Sequence, residues 1–128
     1  MRYLLDTHTY LWFRNAPGRL PAQVFDIITD TSHEVCLSVV VPWEIAIKTG
    51  SGKMDAHALL PAFEEKETAA GFTIAVITVD QVIQSGLLPR YHRDPFDRLL
   101  AAQSFNLKAP LLSRDAVFDL YGVQRLWA

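Results

Sequence analysis

Short apolar runs alternate along the chain with longer segments of helical periodicity. Each run has the length of a buried strand, about four to eight residues. The runs predict strands at 2–5, 34–38, within 72–79, at 109–113 and, at an edge of the sheet, at 123–127. The segments between them carry apolar residues three and four positions apart, and they predict helices at 8–14, 22–30, 42–49, 56–70, 80–88 and 96–106, with a brief helix after Asp115.

This alternation of strands and helices predicts the fold class. Strands separated by helices pair in parallel through right-handed crossovers. We therefore expect an α/β, three-layer sandwich whose central parallel sheet has about four to five strands, with helices on both faces. In such sheets ligands bind beyond the carboxyl ends of the strands, where the strand order reverses.

Composition narrows the class of protein further. The 128 residues show no repeat and no linker-like shift in composition, so we expect a single domain over 1–128. A hydrophobic content of 50% and a net charge of -2 exclude a disordered chain. No run approaches the roughly 18 apolar residues of a membrane span, so we expect no membrane association. The single Cys36 has no disulfide partner, which fits a cytoplasmic protein.

Four carboxylates follow strands or begin helices in this arrangement. Asp6 follows the first strand, Glu44 lies near the start of the helix after the second strand, Asp97 lies in the first turn of the 96–106 helix, and Asp115 follows the fourth strand. Each alone reads as a helix cap or as a partner of a helix dipole, except Glu44, which stands between apolar neighbours. Together they would repel one another in a single cleft unless a cation lay between them. Mg²⁺ prefers such oxygen ligands.

Several longer motifs strengthen this interpretation. They are LLDTHTYLW, WEIAIK with a following GK, HRDPFDRLLAAQ, LLSRD and YGV before a terminal LW. In this order, from residue 2 to residue 127, they resemble the PIN-domain ribonucleases of the VapC toxin type, from type II toxin–antitoxin systems. The resemblance implies a PIN-like sandwich, RNA hydrolysis with Mg²⁺ (Mn²⁺ as substitute), and an antitoxin that inhibits the toxin. The acids of the family fall on Asp6, Glu44, Asp97 and Asp115.

We expect the site residues to have three roles: metal binding, orientation of an acid, and contact with phosphate. Asp6 and Asp97 are the expected direct metal ligands, and Glu44 and Asp115 complete the site directly or through water. Ser113, where the family commonly has Thr, is expected to orient one acid. The candidate phosphate contacts are Arg93, Arg98 and Arg114, which could equally be solvated or paired with Asp94 and Asp97.

Other residues near the acids have simpler expected roles. Pro42 is compatible with the first position of its helix, although it could tilt that helix and displace Glu44. Asp94 is read as the cap of a 95–106 helix, with Pro95 at its first position. His92 either organises its loop or touches the scissile phosphate. No zinc pattern and no nucleotide-binding glycine loop is present.

The function expected from sequence is a Mg²⁺-dependent endoribonuclease, the toxin of a toxin–antitoxin pair, with tRNA as one candidate RNA. Two alternatives remain: a catalytically silent PIN-like binding module, and a phosphatase-type hydrolase on a similar sheet. We expect a homodimer or a toxin–antitoxin hetero-oligomer. We also expect one apolar groove, which receives a helical antitoxin segment and is formed by Leu11, Trp12, Phe13 and Trp43.

Overall fold

The chain begins with the strand that becomes the centre of the sheet. A computed structural model describes all residues from 1 to 128. Its five strands form one sheet in the order β3-β2-β1-β4-β5, and every neighbouring pair is parallel. The predicted parallel sheet is therefore confirmed. The strands are β1 Arg2–Leu5, β2 Glu34–Ser38, β3 Thr73–Ala75, β4 Leu111–Leu112 and β5 Arg125–Leu126.

Helices connect the strands and cover both faces of this sheet. Three short 3₁₀ helices supplement them, at Pro17–Arg19, His57–Leu59 and Ala116–Tyr121. The longest α-helix has 13 residues, and none is long and apolar enough to cross a membrane. The α-helices are α1 Thr7–Asn15, α2 Ala22–Thr29, α3 Val40–Gly50, α4 Phe63–Ala69, α5 Val79–Leu87 and α6 Pro95–Leu107.

The side chains of β1 alternate between two hydrophobic cores. Tyr3 and Leu5 pack into the larger core with residues of α2, α3 and α4, whereas Leu4 packs on the opposite face with α6. This alternation follows from the pleat of a strand that is covered on both faces. Cys36 lies in the second core, where burial raises the pKa of its thiol to about 11. The thiol therefore belongs to the packing.

The strand order reverses at β1, and this reversal positions the cleft. From β1 the chain proceeds to β2 and β3 on one side, then crosses to β4 and β5 on the other. The carboxyl ends of β1 and β4 are adjacent, with Leu5 opposite Leu112. The next residues, Asp6 and Ser113, therefore leave the sheet side by side at the switch point, where this class of fold binds ligands.

One predicted helix is wrong. The segment 56–70 contains a short 3₁₀ helix and then the separate α4, with a break at Pro61 and Ala62. Proline lacks the N–H that would continue a helix, and its ring collides with the preceding turn. Ala62 next adopts the left-handed conformation, φ +51°, which redirects the chain before α4 begins.

Two helix starts also differ from expectation. Helix α3 begins at Val40, so Pro42 occupies its third position instead of its first. The N–H groups of the first turn have no partner within a helix, so proline there sacrifices no hydrogen bond. Helix α5 is capped by Thr78, in a reciprocal capping box with Gln81, and Asp80 lies within the first turn. The cap of α6 agrees with its prediction: Asp94 accepts from the N–H of Phe96, and Pro95 is the first helical residue.

Candidate metal and active site

Asp6 is held rigidly at the end of β1. Its Oδ1 accepts from the N–H of Thr9, 2.9 Å, and from the Thr9 hydroxyl, 2.6 Å, which caps α1. Its Oδ2 accepts from the Ser113 hydroxyl at 2.5 Å. Burial raises the pKa of Asp6, and the hydrogen bonds from Ser113 and Thr9 oppose that effect. Asp6 is therefore both the cap expected from sequence and a carboxylate fixed at the switch point.

Ser113 joins the ends of β1 and β4. Its hydroxyl donates to Asp6 and accepts from the N–H of Asp115 at 3.0 Å. Asp115 in turn caps the following 3₁₀ helix by accepting from the N–H of Val117. One buried hydroxyl thus fixes the relative positions of two of the four acids.

Glu44 lies almost fully buried on α3, and both of its oxygens have partners. Oε1 accepts from the Thr7 hydroxyl at 2.5 Å, and Oε2 lies 2.6 Å from the Lys48 ammonium, one helical turn away. The hydrogen bond to Glu44 raises the pKa of Lys48, and the charges of Asp94 and Asp97 add to this effect. Lys48 therefore places a cation inside the acidic cluster, a role that was not predicted.

His92 connects the other two acids. Its Nε2 lies 2.9 Å from Asp97 Oδ2 and 3.0 Å from Asp115 Oδ2. Its Nδ1 accepts from the N–H of Asp94, so the ring proton is on Nε2 and is shared between the two carboxylates. The main-chain N–H of His92 also binds the Tyr121 hydroxyl. His92 therefore organises its loop, and the ligand atoms of His92, Asp97 and Asp115 all lie within 4.8 Å of one another.

Asp97 shows how closely the acids approach. Its pKa is raised to about 8, first by burial and then by the charges of Asp94, Glu44, Asp6 and Asp115. Each of the other three predicted acids thus acts on the same carboxyl group. The structure brings together Asp6, Glu44, Asp97 and Asp115 at one edge of the sheet.

The three arginines predicted near phosphate have different surroundings. Arg114 is exposed and lines a cavity of about 420 Å³ together with Asp6 and Asp115. Arg93 is also exposed and makes no ion pair. Arg98 is largely buried and pairs with no acid, and its Nε and Nη2 donate to main-chain carbonyls at the end of α5.

The apolar residues expected to form one groove do not line a common cavity. Trp12 lines the cavity that contains Asp6, Arg114 and His8, and Leu11 and Phe13 pack with it against the larger core. Trp43, which is 48% exposed, packs edge-on against Phe96 and lines a different cleft of about 410 Å³ beside α5. The single groove is therefore wrong, because Trp12, Phe13 and Trp43 line three different cavities.

The family model of the PIN domain matches residues 3–123. No curated protein matches the sequence.

Solved structures share the fold at low sequence identity. A chain of VapBC2 from Rickettsia felis, bound to a DNA fragment from their promoter, has a TM-score of 0.68 and 14% identity over 100% of both chains. A chain of FitAB bound to an IR36 DNA fragment has a TM-score of 0.67 and 17% identity, over 98% of this chain and 94% of that one. A chain of VapBC-1 from nontypeable Haemophilus influenzae has a TM-score of 0.63 and 16% identity, over 98% of this chain and 97% of that one.

At these identities the solved structures establish the fold alone. The family model spans nearly the whole chain and includes all four acids of the cleft. The expectation from the sequence motifs is confirmed at this level: the chain belongs to the PIN domain family.

Proposed function

We propose that residues 1–128 form a single PIN-like nuclease domain, a Mg²⁺-dependent endoribonuclease and the toxin of a toxin–antitoxin pair. One observation carries the proposal: the partly buried Asp97 lies among four further carboxylates, Asp6, Glu44, Asp94 and Asp115, whose charges add to the effect of burial in raising its pKa. Such a cluster lowers the stability of the fold unless a cation neutralises it. The chain supplies one cation to the cluster, Lys48, and one imidazole N–H, that of His92, and these are fewer than the acids they face.

The donor set fits a hard divalent cation. Carboxylate oxygens are the protein ligands that Mg²⁺ and Mn²⁺ prefer. Asp6 and Asp97 are the proposed direct ligands. Asp115 completes the site, and Glu44 acts through water, because Thr7 and Lys48 already bind its two oxygens. When bound, the metal lowers the pKa of a coordinated water and neutralises charge on the leaving oxygen.

The residues of the chain supply orientation and charge for this reaction. The Ser113 hydroxyl holds Asp6 and positions Asp115 through its N–H, so the two acids keep a fixed spacing. The His92 Nε2–H lies within hydrogen-bonding distance of one oxygen each of Asp97 and Asp115, and it orients both side chains. Exposed Arg93 and Arg114 flank the acids and are the proposed contacts to phosphate oxygens of RNA.

An antitoxin is the proposed partner. Solved structures with this fold include those of VapBC2, FitAB and VapBC-1. The cleft that contains Asp6, Asp115 and Trp12 offers carboxylates beside an aromatic surface, which suits an apolar segment bearing an Arg or Lys. A homodimer or a toxin–antitoxin hetero-oligomer is proposed, and four exposed apolar residues of α5 support it: Val79, Val82, Ile83 and Leu87.

The proposal is tested by incubating the purified protein with total RNA, including tRNA, in Mg²⁺ and in EDTA. We expect endonucleolytic products in Mg²⁺ and in Mn²⁺ and none in EDTA. Asp6→Asn and Asp97→Asn should each abolish cleavage, because each removes a charged metal ligand. Circular dichroism should show both variants folded.

Two outcomes would favour the alternatives. A protein that binds Mg²⁺ but cleaves only small phosphate monoesters would be a phosphatase-type hydrolase. A protein that leaves RNA intact under every condition, yet retains its antitoxin, would be a silent binding module. Wild-type turnover by either Asn variant would contradict the ligand assignment.

A further inference from the structure

A cavity of about 770 Å³ lies beside the start of α6, outside the acidic cluster. Apart from Pro95 its lining is polar, charged or glycine, and no carboxylate contributes to it. Three of its six lining residues are arginines. We call it the arginine pocket, and its lining is Ser85, Gly86, Arg90, Arg93, Pro95 and Arg98.

Arg98 is the fixed part of the arginine pocket. It is only 9% exposed, and its Nε and Nη2 donate to the carbonyl oxygens of Ser85, Gly86 and Leu88 at 2.8–3.1 Å. Its Nη1 has no hydrogen-bond partner within the protein and is not fully buried, so its N–H groups are accessible from the cavity. No acid pairs with this guanidinium. A buried charge held by carbonyl dipoles alone still lacks an anion.

Two further cations converge on the same space. Arg90 and Arg93 are exposed, and neither makes an ion pair within the protein. Isolated surface arginines are commonly solvated and need no ligand. A buried guanidinium at the base of the cavity, with two free ones at its rim, forms instead a preorganised site for an anion.

The arginine pocket lies close to the acidic cluster but faces another direction. Asp97 and Arg98 are consecutive residues in the first turn of α6, so their side chains diverge by about 100° around the helix axis. Asp97 enters the acidic cluster, and Arg98 enters the arginine pocket. One strand lying across the start of α6 can therefore contact both.

We propose that the arginine pocket binds a phosphodiester group of the RNA strand at least one nucleotide away from the bond that is cut. This rests on the proposed function. The planar guanidinium matches phosphate oxygens in paired hydrogen bonds, and it recognises the backbone without reading the sequence. The arginine pocket thus fixes the register of the strand, while the acidic cluster performs the cleavage.

The test measures binding in Ca²⁺, which should occupy the acidic cluster without supporting cleavage, by fluorescence anisotropy of fluorescein-labelled oligouridylates from dinucleotide to dodecamer. Wild-type affinity should increase once the strand is long enough to span both sites. The double variant Arg90→Gln/Arg93→Gln should lose this gain and bind the dodecamer at least about tenfold more weakly. Its log–log salt dependence should be shallower by about 0.7, the value for one phosphate contact on a single strand.

A charge-matched control separates the pocket from general attraction. Arg2→Gln/Lys108→Gln removes two positive charges at the amino end of β1 and just beyond the carboxyl end of α6, away from the arginine pocket. This control should keep the wild-type dependence on strand length. Arg98 is left intact because it also holds the end of α5.

The remaining outcomes distinguish this inference from the proposed function. If RNA binding by Arg90→Gln/Arg93→Gln kept the wild-type dependence on strand length and salt, the proposed role of the arginine pocket would be wrong. Cleavage by the wild type in Mg²⁺ would still support the proposed nuclease. Absence of cleavage in Mg²⁺ would reject the nuclease, and the binding series would still report on the pocket. If Arg90→Gln/Arg93→Gln lost affinity for a polyglutamate peptide but bound RNA as the wild type does, the arginine pocket would bind an acidic protein segment, and the proposal would be overturned.

Discussion

Two carboxylates of this protein, the fully buried Glu67 and the partly buried Asp97, have opposite surroundings. Glu67 on α4 is fully buried, and it accepts hydrogen bonds from the Tyr10 hydroxyl and from two nitrogens of Arg14, Nε at 3.1 Å among them. Its charge is neutralised within the fold. Asp97 shares its space with four other carboxylates, and its pKa rises to about 8.

The difference shows which buried acids indicate a ligand. A carboxylate with its own arginine and hydroxyl is a structural element that connects α1 to α4. The acids around Asp97 have Lys48, which is bound to Glu44, and the single imidazole of His92. Burial is common to both sites, and only the imbalance of charge is specific to the second.

Isosteric amide substitutions should separate the two carboxylates by their effect on stability. Glu67→Gln should lower the free energy of unfolding by about 3 kcal/mol, because it leaves Arg14 partly buried without a counter-charge. The loss should not be larger, because the Arg14 side chain retains access to solvent. Asp97→Asn should leave stability without metal unchanged or higher, because it relieves repulsion. Urea unfolding in EDTA measures both values. Equal destabilisation of the two variants would erase the distinction.

Divalent cations should act on one of these regions alone. At a hundredfold excess over its dissociation constant, Mg²⁺ should stabilise the wild type by about 2.7 kcal/mol, since it binds only the folded state. Glu67→Gln should show the same gain from a lower baseline, and Asp97→Asn should show none. Mn²⁺ should replace Mg²⁺, whereas Ca²⁺ should stabilise without supporting cleavage because its coordination is larger and looser. Thermal melts in each ion provide the measurement, and an undiminished shift in Asp97→Asn would place the cation elsewhere.

Local signals in the sequence account for much of the fold. The apolar runs located all five strands, and the Asp94-Pro95 pair identified the start of α6, because caps depend on neighbours in the chain. The break at Pro61 was missed because the apolar spacing continues across it. Its effect also depends on the left-handed turn at Ala62, which spacing does not reveal.

The candidate site was only partly predictable. The four acids could be placed at one edge because topology fixes the ends of parallel strands. The partners of His92 and Arg98 depend on how the loop before α6 packs against Asp115 and α5, and no sequence spacing encodes that contact. Lys48 did carry a signal, since it follows Glu44 by one helical turn.

Taken over a single pH unit, the smallest expected effect is the pH dependence of stability in EDTA. The Asp97 carboxyl titrates near the usual value of 3.8 in the unfolded chain and at about 8 in the folded one. Between these values the folded state retains a proton that the unfolded state releases, so stability falls as pH rises, by at most about 1.4 kcal/mol per pH unit, and the decline ends above the folded pKa. Asp97→Asn should lack this decline, and Glu67→Gln should keep it. Urea unfolding across this pH range provides the comparison. Parallel curves for the wild type and Asp97→Asn would show that Asp97 does not hold that proton. Mg²⁺ competes with the same proton, so its apparent affinity should increase over the range in which stability in EDTA decreases.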